Sequence, residues 1–324
     1  IVNRIWQYHF GRGIAANPNN FGTTGTRPTH PDLLDWLAHR FIADGWSFKQ
    51  MHRLVMTSAA YQRRSTHPDL ERVRKSDPDN LLLAYFSPRR LAAEEIRDSM
   101  LAVSGELNLE TGGLPVHPEI NLDEALRPRM IQFSLAPAYQ PDRTPAQRNR
   151  RSVYVYRSRG LLDPMLNVFN QPQTEDSCER RDSSNITPQV FTLLNSDSSI
   201  DRSIAFAQRL EREAGTFTEQ MQRAFQLTYQ RDPDRSELKL LKRHFQQMLV
   251  HHQQTIPQPA DPPTVLERSL VEEFSGKAFR YQERLDVYED YQHHTKPWDV
   301  SAETRALADL CLILINSNEF IYVY

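Results

Sequence analysis

A helical pattern is clearest in the stretch Pro31-Asp-Leu-Leu-Asp-Trp-Leu-Ala-His-Arg-Phe-Ile-Ala-Asp44. The apolar residues that recur there at the spacing of one helix face are Leu33, Leu34, Leu37 and Phe41. Pro31 suits the first turn of a helix, and Gly45 is the residue type that commonly follows the last turn. The stretch therefore predicts an amphipathic helix that buries one face.

The next segments along the chain continue this pattern. Ser47 predicts the cap of a second helix that ends near Ser58 and forms an αα-hairpin with the first. A third helix is predicted from about Leu91 to Val103. The N-terminal third of the chain is therefore expected to be helical.

Helical patterns return in the C-terminal part of the chain, where two capping-box spacings each precede an apolar stripe. Two helices are predicted over 187 to 194 and 200 to 213. Two more follow the capping boxes, Thr216 with Glu219 and Asp234 with Glu237, and a last helix starts near Ser301. Between 251 and 263 the sequence is rich in Gln and Pro, which predicts a linker or an exposed loop.

The middle of the chain lacks this periodicity. Residues 106 to 150 contain two adjacent glycines and six prolines, which predicts a long surface loop. Residues 152 to 158 read Ser-Val-Tyr-Val-Tyr-Arg-Ser, the clearest strand candidate. The predicted fold class is mainly α: a multi-helix domain with a small strand-containing, loop-rich middle segment. The predicted division is a helical unit over 1–105, a loop-rich segment over 106–187 and a helical bundle over 188–324.

Composition excludes several classes of protein. Of 324 residues, 39% are hydrophobic and 25% charged, the balance of a folded chain and not of a disordered one. The net charge of −2 disfavours nucleic acid as a partner, and the longest apolar run, Leu310 to Ile315, is too short for a membrane span. The chain begins at Ile1 within a helical pattern, so a fragment or processed product is expected. Cys178 and Cys311 show no metal-ligand or haem-attachment spacing, so no cofactor is expected in this chain.

Glu94 and Asp98 are the candidate catalytic carboxylates, because they lie four residues apart on one face of the predicted third helix. Such a pair suits general acid and base roles when the two pKa values differ. The alternative is a structural ion-pair network with Arg90 and Arg97, which lie within one helical turn.

Three N-terminal histidines, His9, His30 and His52, come from separate segments, and convergence would place them with Asp32 as an orienting carboxylate or ligand. We include His9 and His30 among the candidate catalytic residues. The alternatives are structural roles. His52 lies on the apolar face of its helix and suits a hydrogen-bonded core histidine, and His30 precedes a helix start and suits its cap. The sequence has no His-Glu-x-x-His spacing, so no metal site is predicted.

The strongest local charge pattern runs from Arg143 to Leu162, with six arginines, two interleaved tyrosines and no acidic residue. Arginine forks and aromatic faces suit sulfate, carboxylate or phosphate groups. The candidate ligand-binding residues are Arg90, Arg97, Arg150, Arg151, Tyr154 and Arg157. The alternative is that several arginines neutralise Glu94, Asp98 or Asp176 inside the fold.

Several of these segments together resemble one known family, the planctomycete-specific PSD-one domain of unknown function. The motifs that carry the resemblance are Val2 to Gly13 (Val-Asn-Arg-Ile-Trp-Gln-Tyr-His-Phe-Gly-Arg-Gly), Pro28 to Ala38, Gly45 to Ser47, His52 to Ser58, Arg90 to Asp98, Arg150 to Tyr154, Ser177-Cys178, Pro188-Gln189, Leu193 to Asn195 and Leu310 to Val323. The resemblance implies an exported, periplasmic or cell-surface protein with a haem-binding cytochrome module and another planctomycete domain upstream. It also implies a genetic neighbourhood of sulfated-polysaccharide breakdown.

Three function hypotheses follow. The leading one is a non-catalytic accessory or binding domain that recognises an anionic polysaccharide beside a cytochrome module. The second is a polysaccharide-active hydrolase or lyase that uses the carboxylate pair. The third is a structural module of cell-surface assembly.

Overall fold

The computed structural model describes residues 1–131, 134–158, 160–174, 177–181, 184, 186–272 and 274–324. Within this part of the chain there are 14 α-helices, which make the protein 48% helical, and a few short strands in small sheets. The prediction of a mainly α fold is thus confirmed. Among the described helices, none combines the length and the apolar character needed to cross a membrane.

The helices are α1 Val2–Phe10, α2 Pro31–Ala43, α3 Phe48–Met56, α4 Leu70–Ser76, α5 Ala93–Ser104, α6 Leu122–Leu126, α7 Pro145–Arg148, α8 Pro164–Val168, α9 Thr187–Asn195, α10 Asp197–Glu213, α11 Phe217–Thr228, α12 Arg235–Gln254, α13 Ala302–Ile315 and α14 Asn318–Ile321. The strands are β1 Arg89–Arg90, β2 Arg129–Ile131, β3 Ser134–Ala136, β4 Val265–Val271, β5 Ala278–Arg284 and β6 Tyr322–Val323. They pair antiparallel as β1 with β6, β2 with β3 and β4 with β5.

The chain divides into two compact units. The first unit comprises Ile1–Leu91, Ser177–Asp182 and Tyr322–Tyr324. The second unit comprises Ala92–Asp176 and Ser183–Ile321. The division into 1–105, 106–187 and 188–324 stays a prediction from sequence composition.

The first unit is built on the predicted αα-hairpin, with α1 packed against α2 and α3. Its core consists of Val2, Ile5, Trp6, Ile14, Leu37, Phe41, Met51 and Val55. Ser47 caps α3 as predicted, because its hydroxyl accepts a hydrogen bond from the backbone N–H of Gln50. Gly45 follows α2 with a φ of +68°, a conformation that glycine adopts without strain.

The opening motif of the chain serves the packing of α1. The buried Asn3 side chain bonds the backbone of Ala15 twice, accepting from its N–H and donating to its C=O, each at 2.9 Å. A Cβ at Gly13 would lie 2.7 Å from the side-chain amide nitrogen of Asn3 and 2.6 Å from the backbone carbonyl oxygen of Ala15. Glycine is therefore required for the close approach between α1 and the loop after it.

The second unit centres on α10, which packs against α13 and α5, while α12 packs against α13. Residues with essentially no exposure line these contacts: Ile96, Phe206, Ala207, Leu210, Leu310 and Cys311. The start of α13 agrees with the prediction, since the Ser301 hydroxyl accepts from the N–H of Thr304. Helix α12 runs on to Gln254, four residues into the segment predicted to be a loop.

The strand predicted over 152–158 is wrong. Ser152–Tyr154 forms a 3-10 helix, and only Val155 makes an isolated parallel bridge, with Val116. The backbone N–H of Ser152, which would join a strand ladder, instead donates to the carboxylate of Asp98 at 2.7 Å. A side-chain acceptor therefore replaces the neighbouring strand.

The longest strands, β4 and β5, form a hairpin that the sequence patterns did not predict. Arg268 of β4 is buried and donates to Glu283 of β5 at 2.7 Å and to the carbonyl of Leu126 at 2.9 Å. Glu283 also accepts from the backbone N–H of Ala138 at 2.6 Å. Both members of this ion pair within the hairpin thus also bond the backbone of the segment that carries β2 and β3, and so anchor the hairpin to it.

Candidate functional site

A cavity of about 510 Å³ opens in the second unit. Small-molecule sites usually have volumes of roughly 300–1,000 Å³ and combine apolar walls with a few polar groups. The apolar side chains in the wall include Met100, Leu101, Met165, Val168 and Phe191. The ionisable ones are Arg97, Glu119, Arg148, Asp163, Asp201, Arg202 and His294. This mixture makes the cavity the candidate site.

The wall is assembled from several helices. Helix α5 contributes Arg97, and the start of α8 contributes Asp163, whose carboxylate caps that helix by accepting from the N–H of Leu166 at 3.0 Å. Helix α10 contributes Asp201 and Arg202. Because the helices are packed against one another in the core, these side chains have fixed positions.

The rim is more exposed than the floor. Phe191 of α9 lines the cavity although its side chain is 58% exposed, whereas its neighbour Val190, 55% exposed, does not line it. Asn121 and Asn195 are exposed rim residues as well. An aromatic face and two amides are therefore available to a molecule that enters from solvent.

Two carboxylates of the wall share one ammonium group. Lys296 donates to Glu119 at 3.0 Å and to Asp201 at 2.9 Å. Burial raises the pKa of Asp201 to about 6 even though Lys296 opposes the rise. Burial acts on Glu119 in the same direction, but Lys296 and Arg148 more than offset it and hold the pKa of Glu119 below its ordinary value. The two carboxyl groups therefore differ in acidity.

Arg148 is 1% exposed and forms the floor behind Glu119. Its guanidinium donates to the carbonyls of Asp142 and Gln292, each at 2.7 Å, and lies 4.5 Å from the centre of the Tyr291 ring. Its Nη2 is 3.8 Å from Glu119. These contacts tie the 117–142 segment to the segment that precedes α13.

His294 is held neutral beside this arginine. Arg148 Nε donates to His294 Nε2 at 3.4 Å, which places the imidazole proton on Nδ1, 3.7 Å from Glu106. Burial lowers the pKa of His294 strongly, and the nearby cations Arg202 and Arg148 lower it further. His294 is therefore an uncharged donor and acceptor at neutral pH.

A further ion pair lies beside the cavity. Arg202 Nε lies 3.0 Å from Glu106, and Arg202 Nη1 donates to Asn149 at 2.9 Å. Burial raises the pKa of Glu106, an effect that Arg202 reduces. Burial likewise raises the pKa of Asp163, with Arg97 as the nearest opposing charge. Three of the four acids in and behind the wall thus have raised pKa values.

The carboxylates predicted from the sequence lie elsewhere in this unit. Asp98 accepts from both the N–H and the hydroxyl of Ser152 at 2.7 Å and is near Arg97 and Arg151, at 3.8 and 4.0 Å. Glu94 accepts from Gln171 at 3.2 Å. Neither residue is among those that line the cavity. Their contacts match the structural alternative more closely than the catalytic one.

Most of the predicted ligand-binding arginines bond the backbone. Arg97, the one member of that set that lines the cavity, donates to the carbonyls of Arg148 and Arg150 at 2.7 and 3.0 Å. Arg150 donates to the carbonyls of Leu114, Glu110 and Gly112 and stacks on Tyr154, with 4.2 Å to the ring centre.

The remaining arginines are dispersed. Arg157 donates to the carbonyl of Pro172, and Arg151 is exposed. Arg90 lies in β1 of the first unit, where burial lowers the pKa of its guanidinium. Asp176, proposed as an internal partner of these arginines, lies outside the described residues.

The predicted histidines belong to the first unit, whereas Glu94 and Asp98 belong to the second. His9 Nε2 and His52 Nδ1 are hydrogen-bonded at 2.8 Å, and His30 Nδ1 contacts the Thr29 hydroxyl at 3.0 Å. In the described ranges no group of three or more His, Cys, Asp or Glu side chains is arranged to hold a metal ion. The two cysteines are free, with Cys178 exposed and Cys311 buried.

Sequence reasoning named Arg97 as a candidate and included Arg148 in the arginine-rich stretch, but it missed the other five ionisable residues of the wall. Glu119, Arg148 and Asp163 come from segments without periodicity, and His294 with Lys296 follows an unrecognised hairpin. One pattern pointed to them: an unusually long aperiodic segment inside a compact domain is commonly functional.

Comparisons with known proteins identify a family. A family model described as "PSD1: Protein of unknown function (DUF1553)" matches residues 1–245. The match includes every cavity-lining residue except His294 and excludes the 310–323 motif. No curated protein and no solved structure matches the chain.

Proposed function

The chain belongs to the PSD1 family of unknown function (DUF1553), and we propose that its second unit is a binding domain that takes a sugar unit of an anionic polysaccharide into the cavity. The observation that carries the proposal is the composition of the wall. Hydrogen-bond acceptors such as Glu119 and donors such as Arg202 alternate with apolar and aromatic surface.

A sugar matches this wall group by group. Each hydroxyl both donates and accepts, so it suits a site that offers carboxylates, amides and guanidinium groups together. The C–H face of a sugar ring is apolar and packs against a ring such as that of Phe191 at the rim. Asn121 and Asn195 flank that position with further donors and acceptors.

The charges favour an anionic sugar over a neutral one. The cations in and behind the wall are Arg97, Arg148, Arg202 and Lys296, and the acids are Glu106, Glu119, Asp163 and Asp201. Burial raises the pKa of Glu106, Asp163 and Asp201, so these carboxyl groups ionise less readily than free ones. A sulfate or carboxylate group on the sugar is the natural partner of the guanidinium and ammonium groups in this set.

Calorimetric titration with a sulfated polysaccharide and its desulfated form tests the proposal. We expect binding of the sulfated form, and a loss of about 10- to 150-fold in affinity for Phe191→Ala, because burying such a ring is worth about 1.5–3 kcal/mol. Val190→Ala is the matched control, since Val190 is equally exposed on the same helix but does not line the cavity. It should bind as the wild type does.

The same titration separates the cavity from the exposed arginines. If Arg151→Ala and Arg157→Ala abolish binding and Phe191→Ala does not, the polysaccharide binds the arginine-rich surface, and the cavity proposal is wrong. The hydrolase or lyase hypothesis based on Glu94 and Asp98 has less geometric support, because neither carboxylate lines the cavity. Nothing in the fold favours the assembly-module hypothesis over binding.

The cellular setting is also a proposal, and the PSD-one resemblance is its support. We propose that the protein is exported and acts at the cell surface or in the periplasm beside a haem-carrying cytochrome module. In that setting the second unit would hold the polysaccharide near its redox partner.

A further inference from the structure

Two carboxyl groups line the cavity from different elements, in environments of opposite kinds. Asp163 caps α8, where Pro164 and Met165 follow it in the wall, and Arg97 is the charged side chain that acts on it. Glu119 lies in the loop before α6, where Lys296 bonds it at 3.0 Å. One site thus contains a desolvated carboxyl group at a helix cap and a carboxylate that an ammonium group bonds directly.

These environments separate the acidities of the two groups. Desolvation raises the pKa of Asp163, with Arg97 and the N–H of Leu166 opposing the rise. Lys296 and Arg148 overcome the desolvation of Glu119 and lower its pKa. A pair of carboxyl groups with divergent pKa values is the usual arrangement for a general acid with a general base.

We propose that the cavity is an active site for hydrolysis of the bound saccharide, with Asp163 as the proton donor and Glu119 as the base. This inference rests on the proposed saccharide binding. Asp163 protonates the glycosidic oxygen as the bond between that oxygen and the anomeric carbon breaks. A water molecule adds to the anomeric carbon and transfers its proton to Glu119. Solvent then returns one proton from Glu119 to Asp163, so each cycle consumes one water and one glycosidic bond.

The neighbours of these groups suit the two roles. The charged and titratable groups beside Asp163 are Arg97 of α5, which also lies 3.8 Å from Asp98 of the same helix, and Tyr139, whose own pKa burial raises. Glu119 is held by Lys296 at 3.0 Å, and Arg148 Nη2 lies 3.8 Å from its Oε2. These two cations keep Glu119 ionised, as a base must be before it accepts a proton.

The test is release of reducing ends from the polysaccharide that binds best in calorimetry, with Asp163→Asn and Glu119→Gln compared with the wild type. We expect each variant to lose at least about 100-fold in rate, a typical contribution of a general acid or base, while calorimetry still detects binding of the polysaccharide. Asn is as good an N-cap as Asp, so Asp163→Asn keeps α8 capped and the fold intact. Asp123→Asn, an exposed carboxyl of α6 outside the cavity, is the control and should keep the full rate.

The pH profile gives a second readout. The wild-type rate should fall on the alkaline side as Asp163 loses its proton, and the residual rate of Asp163→Asn should lack that fall. Binding by the wild type without any reducing ends, or a full rate in Asp163→Asn, overturns the inference and leaves the binding proposal standing. An unsaturated product shows elimination and also overturns the hydrolytic step. Absence of binding by the wild type overturns the proposed function itself.

Discussion

Asp201 shows how one buried residue links the cavity to the stability of the fold. It is 3% exposed and bonds Lys296 at 2.9 Å, yet burial still raises its pKa to about 6. In the unfolded chain the carboxyl regains its ordinary pKa of 3.8. Between these two values the folded state binds the extra proton, so the stability that this group confers is present at low pH and is lost as the pH rises to 6.

Asp201→Asn removes that titration. Relative to the wild type, its free energy of unfolding should shift upward between pH 4 and pH 7 by up to about 3 kcal/mol, the value of roughly two pKa units. Urea unfolding at a series of pH values measures the shift. Asp197→Asn, at the exposed start of the same helix, should follow the wild type at every pH. Parallel curves for Asp201→Asn and the wild type would contradict the prediction.

The residues of the candidate site could be predicted from sequence in small part. Arg97, one of the predicted ligand-binding residues, lines the cavity and lies on a strongly periodic helix. Asp201 and Arg202 also lie on a predicted helix, but helical periodicity does not reveal which charged side chains face a cavity. Loop residues such as Glu119 and His294 are positioned by partners far away in sequence. Arg148, for example, contacts both of them. Local patterns contain no information about such partners.

Helix ends were the elements that sequence predicted best, since a cap depends on residues within one turn. Asp234 accepts from the N–H groups of Ser236 and Glu237 at 2.7 and 2.8 Å, and Glu237 accepts in return from the N–H of Asp234 at 2.7 Å. This is the capping box that the spacing predicts. Helix α12, which it starts, has no fully buried residue, so the cap contributes much of its local stability.

Asp234→Ala should therefore lower the free energy of unfolding by about 1 kcal/mol, the typical cost of losing a side-chain cap. Chemical denaturation followed by far-ultraviolet circular dichroism measures the change. Lys239→Ala, an exposed position on the same helix, should stay within about 0.5 kcal/mol of the wild type. An equal effect of the two substitutions would show that the cap is not needed for α12.

Strands were predicted poorly, for a physical reason. The β-branched and aromatic content of 152–158 suits a strand, but Asp98 binds the backbone of Ser152 and no ladder forms there beyond Val155. In contrast, β4 and β5 each contain charged residues, and the reason for their pairing is visible only in the structure, where Arg268 lies beside Glu283. Strand formation depends on what lies across the ladder, which a single segment does not disclose.

At the scale of the whole molecule, the sequence order differs from the spatial order. The first unit takes residues from the start of the chain and its last three residues, which follow all the helices of the second unit. A division based on composition can only cut the chain into consecutive segments. It does not indicate that the last residues of the chain belong to the first unit. The C-terminal residues rejoin the first unit through β6, where Arg89 pairs with Val323 and Arg90 with Tyr322.

This pairing predicts a local effect of shortening the chain. Removal of Tyr322–Tyr324 deletes β6 and leaves the backbone groups of Arg89 and Arg90 without their ladder, at a cost of about 0.5–1.5 kcal/mol for each lost hydrogen bond. Hydrogen exchange at β1 should accelerate by about tenfold or more, because each 1.4 kcal/mol of lost local stability corresponds to one factor of ten. The amides of α10 and α13, in the core of the second unit, should exchange as before.

Removal of Tyr324 alone is the matched control, since this residue follows the paired strand and leaves both registered pairs in place. Its exchange pattern should match that of the full chain. Faster exchange in α10 and α13 after the three-residue deletion would mean that the C-terminal strand supports the second unit as well. In that case the assignment of Tyr322–Tyr324 to the first unit would be wrong.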